Sequence, residues 1–236
     1  MILYVNGDSH TAAAEAVNGY AAANDDIRYV AQGRRPHPDN LEVSWGMRLS
    51  KKLGLGLKCD AQSGSSNDRI IRTTIDFMKS RKARGNPYTV VVIGWSTWER
   101  EEWYDEESRE WFQVTASGTD VVPEKWHTRY RQYIAGLDYK QKEAEAHKKI
   151  HDLHLRFYGA GIPHLFFNAM WHFSGYQDNK TEWHDCYLSP YDPELCYAEW
   201  ASLTGYGTRD QHYGPEAHSA WAEVLAKRLT PLLETV

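Results

Sequence analysis

The stretch Ile2-Leu3-Tyr4-Val5-Asn6-Gly7-Asp8-Ser9-His10-Thr11-Ala12-Ala13-Ala14-Glu15-Ala16-Val17 decides the fold. A β-forming apolar run breaks at Asn6-Gly7 into small polar residues and then into an alanine-rich segment without proline. That order reads as strand, tight turn and helix. Ser9 falls at the turn, where the first backbone N–H groups of a helix lack intrahelical partners. A hydroxyl held there can act as a nucleophile, and its own amide can donate to a developing oxyanion. A plain helix N-cap at Asp8 or Ser9 is the competing reading.

The same pattern recurs along the chain. Gly54 to Asp60 reads as a brief strand that runs into the small polar turn 61–68, and a helix is expected from Arg69 to Lys82 with Ile71, Ile75 and Met78 on it. Thr89-Val90-Val91-Val92-Ile93-Gly94 is the clearest strand, and its unbroken apolar character suits a central strand covered on both faces. Ile162 to Asn168 is the next. Between these lie a short extended piece at Ile27–Val30, a helix from Trp45 to Leu53, and a long helical region from Trp126 to Tyr158. Gly214-Pro215 opens a closing helix through Leu233, with proline at a favourable first-turn position. Strands alternating with helices predict a three-layer α/β/α sandwich on a mainly parallel, flavodoxin-like sheet of about five strands. We expect one domain over residues 1–236, with aromatic-rich insertions at about 95–125, mostly loop, and 171–209.

Composition narrows the function classes. A net charge of −5 gives no global attraction for nucleic acid or anionic lipid. Cys59, Cys186 and Cys196 cannot all pair within one chain and match no C-x-x-C metal site, which favours reduced thiols and a cytoplasmic setting. No window approaches the length of a membrane span, and with Gly7 and Asp8 interrupting the first apolar run no signal segment is expected. Aromatic residues make up 13% of the chain, and many fall in the two insertions. Most are expected to pack those loops down, and the rest suit a cleft for sugar faces or acyl chains.

In a parallel α/β sheet the turns after the strand carboxyl ends gather at one edge, where ligands bind. Four such turns carry polar residues: Gly7-Asp8-Ser9, Gly64-Ser65-Ser66-Asn67, Gly94-Trp95-Ser96 and Asp210-Gln211-His212. A serine at a strand-to-helix turn, a glycine amide, a small donor and a carboxylate beside a histidine are the components of acyl transfer through a covalent intermediate. His147, His151 and His154 are spaced for metal capture on one helix. With no completing ligand evident, they read as a solvent-exposed face and no metal is expected. No Walker-type loop or complete dinucleotide turn is present, so no cofactor is expected.

With these blocks in this order, the sequence resembles the SGNH, or GDSL-type, hydrolase superfamily. The resemblance rests on Gly7-Asp8-Ser9-His10, on Gly64, and on Asp210-x-His212 ahead of the terminal helix. It implies Ser9 as nucleophile, His212 as general base and acid, Asp210 as its orienting carboxylate, and the amides of Ser9 and Gly64 in an oxyanion hole. Two departures stand out. The third block, usually Gly-x-Asn-Asp, ends here in Gly94-Trp95-Ser96, which is similar to some phage-encoded members. The last block is Asp-x-His where Asp-x-x-His is commoner. Ser96 or Asn67 is the expected replacement for the missing asparagine donor. Trp95, Arg100 and Asn168 are expected substrate contacts, and His218 a packing residue. The resemblance implies an esterase acting on a small-molecule or carbohydrate ester. The same residues would also serve an O-acyltransferase, and a non-catalytic binding module on the same fold is the rival.

Overall fold

The computed structural model describes residues 1–83, 88–118, 122–176, 182–209 and 212–234. The opening strand β1 is Ile2–Asn6, followed by the short helix α1, Ser9–Ala12. Helices α2, Pro38–Val43, and α3, Trp45–Leu53, lead to β2, Gly56–Cys59, and α4, Asn67–Ala83. Strand β3 is Thr89–Trp95, and the hairpin β4–β5 spans Glu101–Asp105 and Glu110–Val114. Helices α5, His127–Ala135, and α6, Tyr139–Gly159, precede β6, His164–Asn168. The chain then runs through α7, Tyr197–Leu203, and the two-residue strands β7, Thr208–Arg209, and β8, His212–Tyr213, to α8, Pro215–Glu234.

Strands β2, β1, β3 and β6 lie side by side in that order, all parallel. Alternating side chains send the sheet's apolar residues to two cores. Leu3, Val5, Val90, Val92, Leu165 and Phe167 meet Trp45 and Leu49 of α3 and Trp221, Leu225 and Leu229 of α8. Tyr4, Val91, Ile93, Trp95 and Phe166 meet Ile70 of α4 and Ile150, Leu153 and Phe157 of α6. The result is the expected α/β/α sandwich. Among the described residues four strands pair in the main sheet rather than about five. Beyond β6 a single parallel bridge, Phe166 to Tyr187, continues it.

Three local expectations are corrected. Ile27–Val30 lies in a 3-10 helix, Ile27–Gln32, whose entry is capped by Asp26 accepting from the Arg28 amide. The stretch after Trp95 holds more than loop: Trp103 pairs with Phe112 in an antiparallel hairpin, and Trp103 and Val114 form a third small core with Val122 and Tyr130. The long helical region is broken at Gly136, and Asp138 caps the new start by accepting from the amides of Lys140 and Gln141. Most insertion rings do pack: Trp98 stacks on Phe173 at 4.4 Å, and Trp183 and Tyr187 are buried. Among the described residues no helix is long and apolar enough to cross a membrane.

Candidate active site

The turns after β1, β2, β3 and β6 meet at the carboxyl edge of the sheet. The Asp60 amide donates to the Val5 carbonyl at 3.0 Å and the Gln62 amide to the Gly7 carbonyl at 3.1 Å, which ties the second small-residue block to the first. Gly64 sits in that block at φ +78°, a left-handed conformation that suits glycine. Gly7 and Gly94 are required by close approach. A Cβ at Gly94 would lie 2.7 Å from the Phe167 ring and from Thr11 Oγ1, and one at Gly7 would lie 2.7 Å from the Gly94 carbonyl.

Asp8 is the N-cap of α1, accepting from the His10 amide at 3.0 Å. Its carboxylate is fully buried. Oδ2 accepts from Ser96 Oγ at 3.0 Å and from Arg100 NH1 at 3.3 Å, and Arg100 NH1 also donates to Ser96 Oγ at 2.8 Å. The single proton of Ser96 is thus committed to Asp8, in place of the expected donation to an oxyanion. Asn67 is committed too. Its Oδ1 accepts from the Ser96 amide at 2.9 Å, and its Nδ2 donates to the carbonyls of Ser96 and Thr97, which clamps the loop after β3. Neither side chain retains a donor for substrate in this arrangement.

The other expected substrate contacts diverge. Trp95 is buried in β3 with its ring edge-on to Phe166 at 5.1 Å, because the strand runs one residue longer than its apolar block and carries Trp95 into the core. Asn168 is also buried; it donates to the Pro190 carbonyl and accepts from Tyr187 Oη at 2.6 Å, fastening the long loop after β6. Arg100 remains at the edge, partly exposed beside Asp8.

Helix α1 is shorter than the alanine-rich sequence suggests. Ala13 adopts φ +53° and ends it after four residues, and Glu15 follows at φ +61°. Both are unusual for residues with a Cβ, and such backbone persists where surrounding structure enforces it. The consequence is visible at Glu15, whose Oε2 lies 3.0 Å from His212 Nδ1. With Nδ1–H donating to that carboxylate, Nε2 carries the lone pair, the tautomer a general base needs. The His212 ring lies 5.2 Å from that of His10, the neighbour of Ser9, so β8 is packed against α1. Asp210, the carboxylate expected from the last block, lies outside the described residues.

Ser9 is 9% exposed, and among the described residues its hydroxyl makes no hydrogen bond, to His212 or otherwise. His10 is buried, and burial lowers its imidazole pKa to about 4, while its Nδ1 has no partner among the described residues. His218 lies in α8, where Nδ1 accepts from the Trp45 amide at 3.4 Å. Burial lowers it to about 3, which agrees with a packing role. Glu15 is the partner of His212 that sequence reasoning missed. A lone acid within Ala12-Ala13-Ala14-Glu15-Ala16 was the available signal, and helix periodicity masked it.

Among solved structures, an acetyl xylan esterase (Est2A) from the rumen bacterium Butyrivibrio proteoclasticus aligns at 12% identity with a TM-score of 0.43, covering 98% of this chain and 64% of that one. The chain therefore spans less than two thirds of that esterase. A protein of the G-D-S-L family from Desulfitobacterium hafniense DCB-2 aligns at 12% identity with a TM-score of 0.33, covering 97% and 100%. No curated protein sequence matches significantly. The profile of a family of unknown function, DUF6071, matches residues 32–155, more than half of the sequence. The chain belongs to the family of unknown function DUF6071.

Proposed function

We propose that the protein is an SGNH-type serine esterase that cleaves an ester-linked acyl group through an acyl-enzyme on Ser9. The observation that carries this reading is the Glu15–His212 pair, 3.0 Å apart and packed against the short helix that bears Ser9. In the reaction His212 Nε2 takes the Ser9 proton as Oγ attacks the acyl carbonyl, then returns it to the leaving alkoxide; a water molecule repeats the cycle to free the acid. Glu15 holds the imidazole in the required tautomer and stabilises its protonated form. The amides of Ser9 and Gly64 face the oxyanion. Arg100 is the cationic donor at the same edge; NH1 serves Asp8 and Ser96, and the rest of its planar fork supplies the charge that the family's third-block asparagine would otherwise provide as a dipole. The exposed rings of Tyr104 and Trp111, 4.9 Å apart on the β4–β5 hairpin, suit a carbohydrate alcohol. The hairpin is tied to the second block through Gln113, which accepts from the Ser66 amide at 2.9 Å.

The test is covalent labelling with a fluorophosphonate, read by mass spectrometry, beside turnover of p-nitrophenyl acetate. Stoichiometric label on Ser9, with turnover abolished in a folded Ser9→Ala variant, is the expected result. Folded protein that neither takes the label nor turns over short-chain esters overturns the esterase reading in favour of a binding module on this fold.

A further inference from the structure

The amino end of β6 carries a second cluster of reactive side chains, remote from Ser9. His164 is the first residue of that strand and Asn168 the last, so the cluster lies about 13 Å along β6 from the edge where the turns gather. His154 of α6 and His164 are both buried, with His154 Nδ1 2.9 Å from His164 Nε2. Cys186 joins them from the loop after β6. One ligand atom from each of His154, His164 and Cys186 lies within 4.8 Å of the others. His154, expected on a solvent-exposed face, is fully buried instead, and its partners come from segments 10 and more residues away.

From this geometry we propose that His154, His164 and Cys186 bind a zinc ion that staples α6, the start of β6 and the loop carrying Cys186. One thiolate and two imidazoles form a set that zinc accepts at about 2.3 Å and about 2.0–2.1 Å, leaving a fourth tetrahedral position for water. The surroundings are built as an outer shell. His164 Nδ1 donates to the Ile162 carbonyl at 2.8 Å, which fixes Nε2 as the lone-pair nitrogen facing the cluster. On its far side His154 Nε2 meets His184 Nδ1 at 3.0 Å. Metal-binding histidines almost always have their second nitrogen held in this way. The Cys186 thiol is held at the cluster by donating to the His184 carbonyl at 3.4 Å. His184 and Asp185 both adopt left-handed conformations, at φ +47° and +63°, in the two residues ahead of Cys186. The Cys186 carbonyl then accepts from the Phe166 amide at 2.8 Å, which locks the cysteine beside β6.

The proton balance is defined. Without metal, His164 Nε2 must accept from His154 Nδ1–H, and His154 Nε2 from His184 Nδ1–H. With metal, both ligating nitrogens offer lone pairs, His154 Nε2–H donates to His184 Nδ1, and the His184 proton moves to its own Nε2. The histidines lose no proton, and the Cys186 thiol loses one as the sulfur–zinc bond forms.

Cobalt(II) is the probe, added to the intact chain after chelator dialysis and removal of any affinity tag. A thiolate-to-cobalt charge-transfer band that saturates at one ion per chain, collapses on adding zinc, and accompanies release of one proton per ion is expected. The band should vanish in Cys186→Ser, weaken at least tenfold in apparent affinity in His164→Gln, and persist in Cys59→Ser and His151→Gln. Circular dichroism identifies any variant that fails to fold, in which case the wild-type titration decides alone. Folded wild-type protein with no charge-transfer band in excess cobalt overturns the proposal, as does a band that survives Cys186→Ser or is lost in Cys59→Ser or His151→Gln.

Discussion

Asp8 accepts from three donors at once, the His10 amide, the Ser96 hydroxyl and Arg100 NH1, while being fully buried. Asp8→Asn keeps the shape but sets an NH2 donor against the Ser96 hydroxyl and Arg100 NH1, which already donate to that position, and leaves Arg100 without its closest anion. Breaking a fully buried pair typically costs about 3–5 kcal/mol; Arg100 keeps some solvent, so about 2–3 kcal/mol is expected, read as a lower urea midpoint. An unchanged midpoint would show that the Arg100 contact contributes little. Kinetics decide between Glu15 and Asp210 as the proposed orienting carboxylate. Glu15→Gln should lower ester turnover by about 10³–10⁴, the scale for a lost orienting carboxylate, while Asp210→Asn leaves most of the activity. The opposite pattern returns the role to Asp210. At this scale the sequence was only half legible. Ser9 and His212 stand in short blocks that the sequence displays, but Glu15 is 197 positions from His212, and no local spacing encodes that meeting. Ser96 and Asn67 were recognised as polar residues at the right edge, whereas their commitment to Asp8 and to backbone carbonyls depends on where the loop after β3 folds back.

The elements were more legible where burial is two-sided. The runs in β1, β3 and β6 are apolar throughout because helices cover both faces of the sheet, and that pattern needs no tertiary information to read. Helix α1 is the counterexample, since its alanine propensity favours continuation yet it ends where Ala13 turns left-handed and its amide bonds the Ser9 carbonyl. Gly94 tests how tightly the strand and this helix are fitted together. A methyl group there meets the Phe167 ring and Thr11 Oγ1 at once, at 2.7 Å each. Gly94→Ala should therefore lower stability by about 1–3 kcal/mol, the cost of overpacking, and pairing it with Thr11→Ala should recover part of that loss. Thermal or urea unfolding of the three variants measures it. Strictly additive effects would mean that Thr11 is not the obstacle.

On the scale of the whole molecule, two buried histidines link the fold to pH. His10 sits under the candidate nucleophile and His218 between α3, α7 and α8, with burial holding them at about 4 and about 3. An unfolded histidine takes its proton near pH 6.5, so both groups are neutral in either state above that value and cost nothing there. Below it the unfolded chain binds protons that the folded chain refuses. Stability should then fall by about 1.4 kcal/mol per pH unit for each group, from pH 6.5 down to about 4 for His10 and about 3 for His218, and level off once the folded form is protonated too. His218 offers the cleaner test, because its Nδ1 must accept from the Trp45 amide and protonation would set two N–H groups against each other. His218→Asn keeps an acceptor near that position without a titrating ring. Its stability at pH 7 should drop, but its slope between pH 6 and 4 should be shallower than that of the parent by about 1.4 kcal/mol per pH unit. Urea unfolding at intervals across that range gives both slopes. Parallel curves would mean that His218 is already protonated in the fold, and acid sensitivity would then have to arise elsewhere in the sandwich.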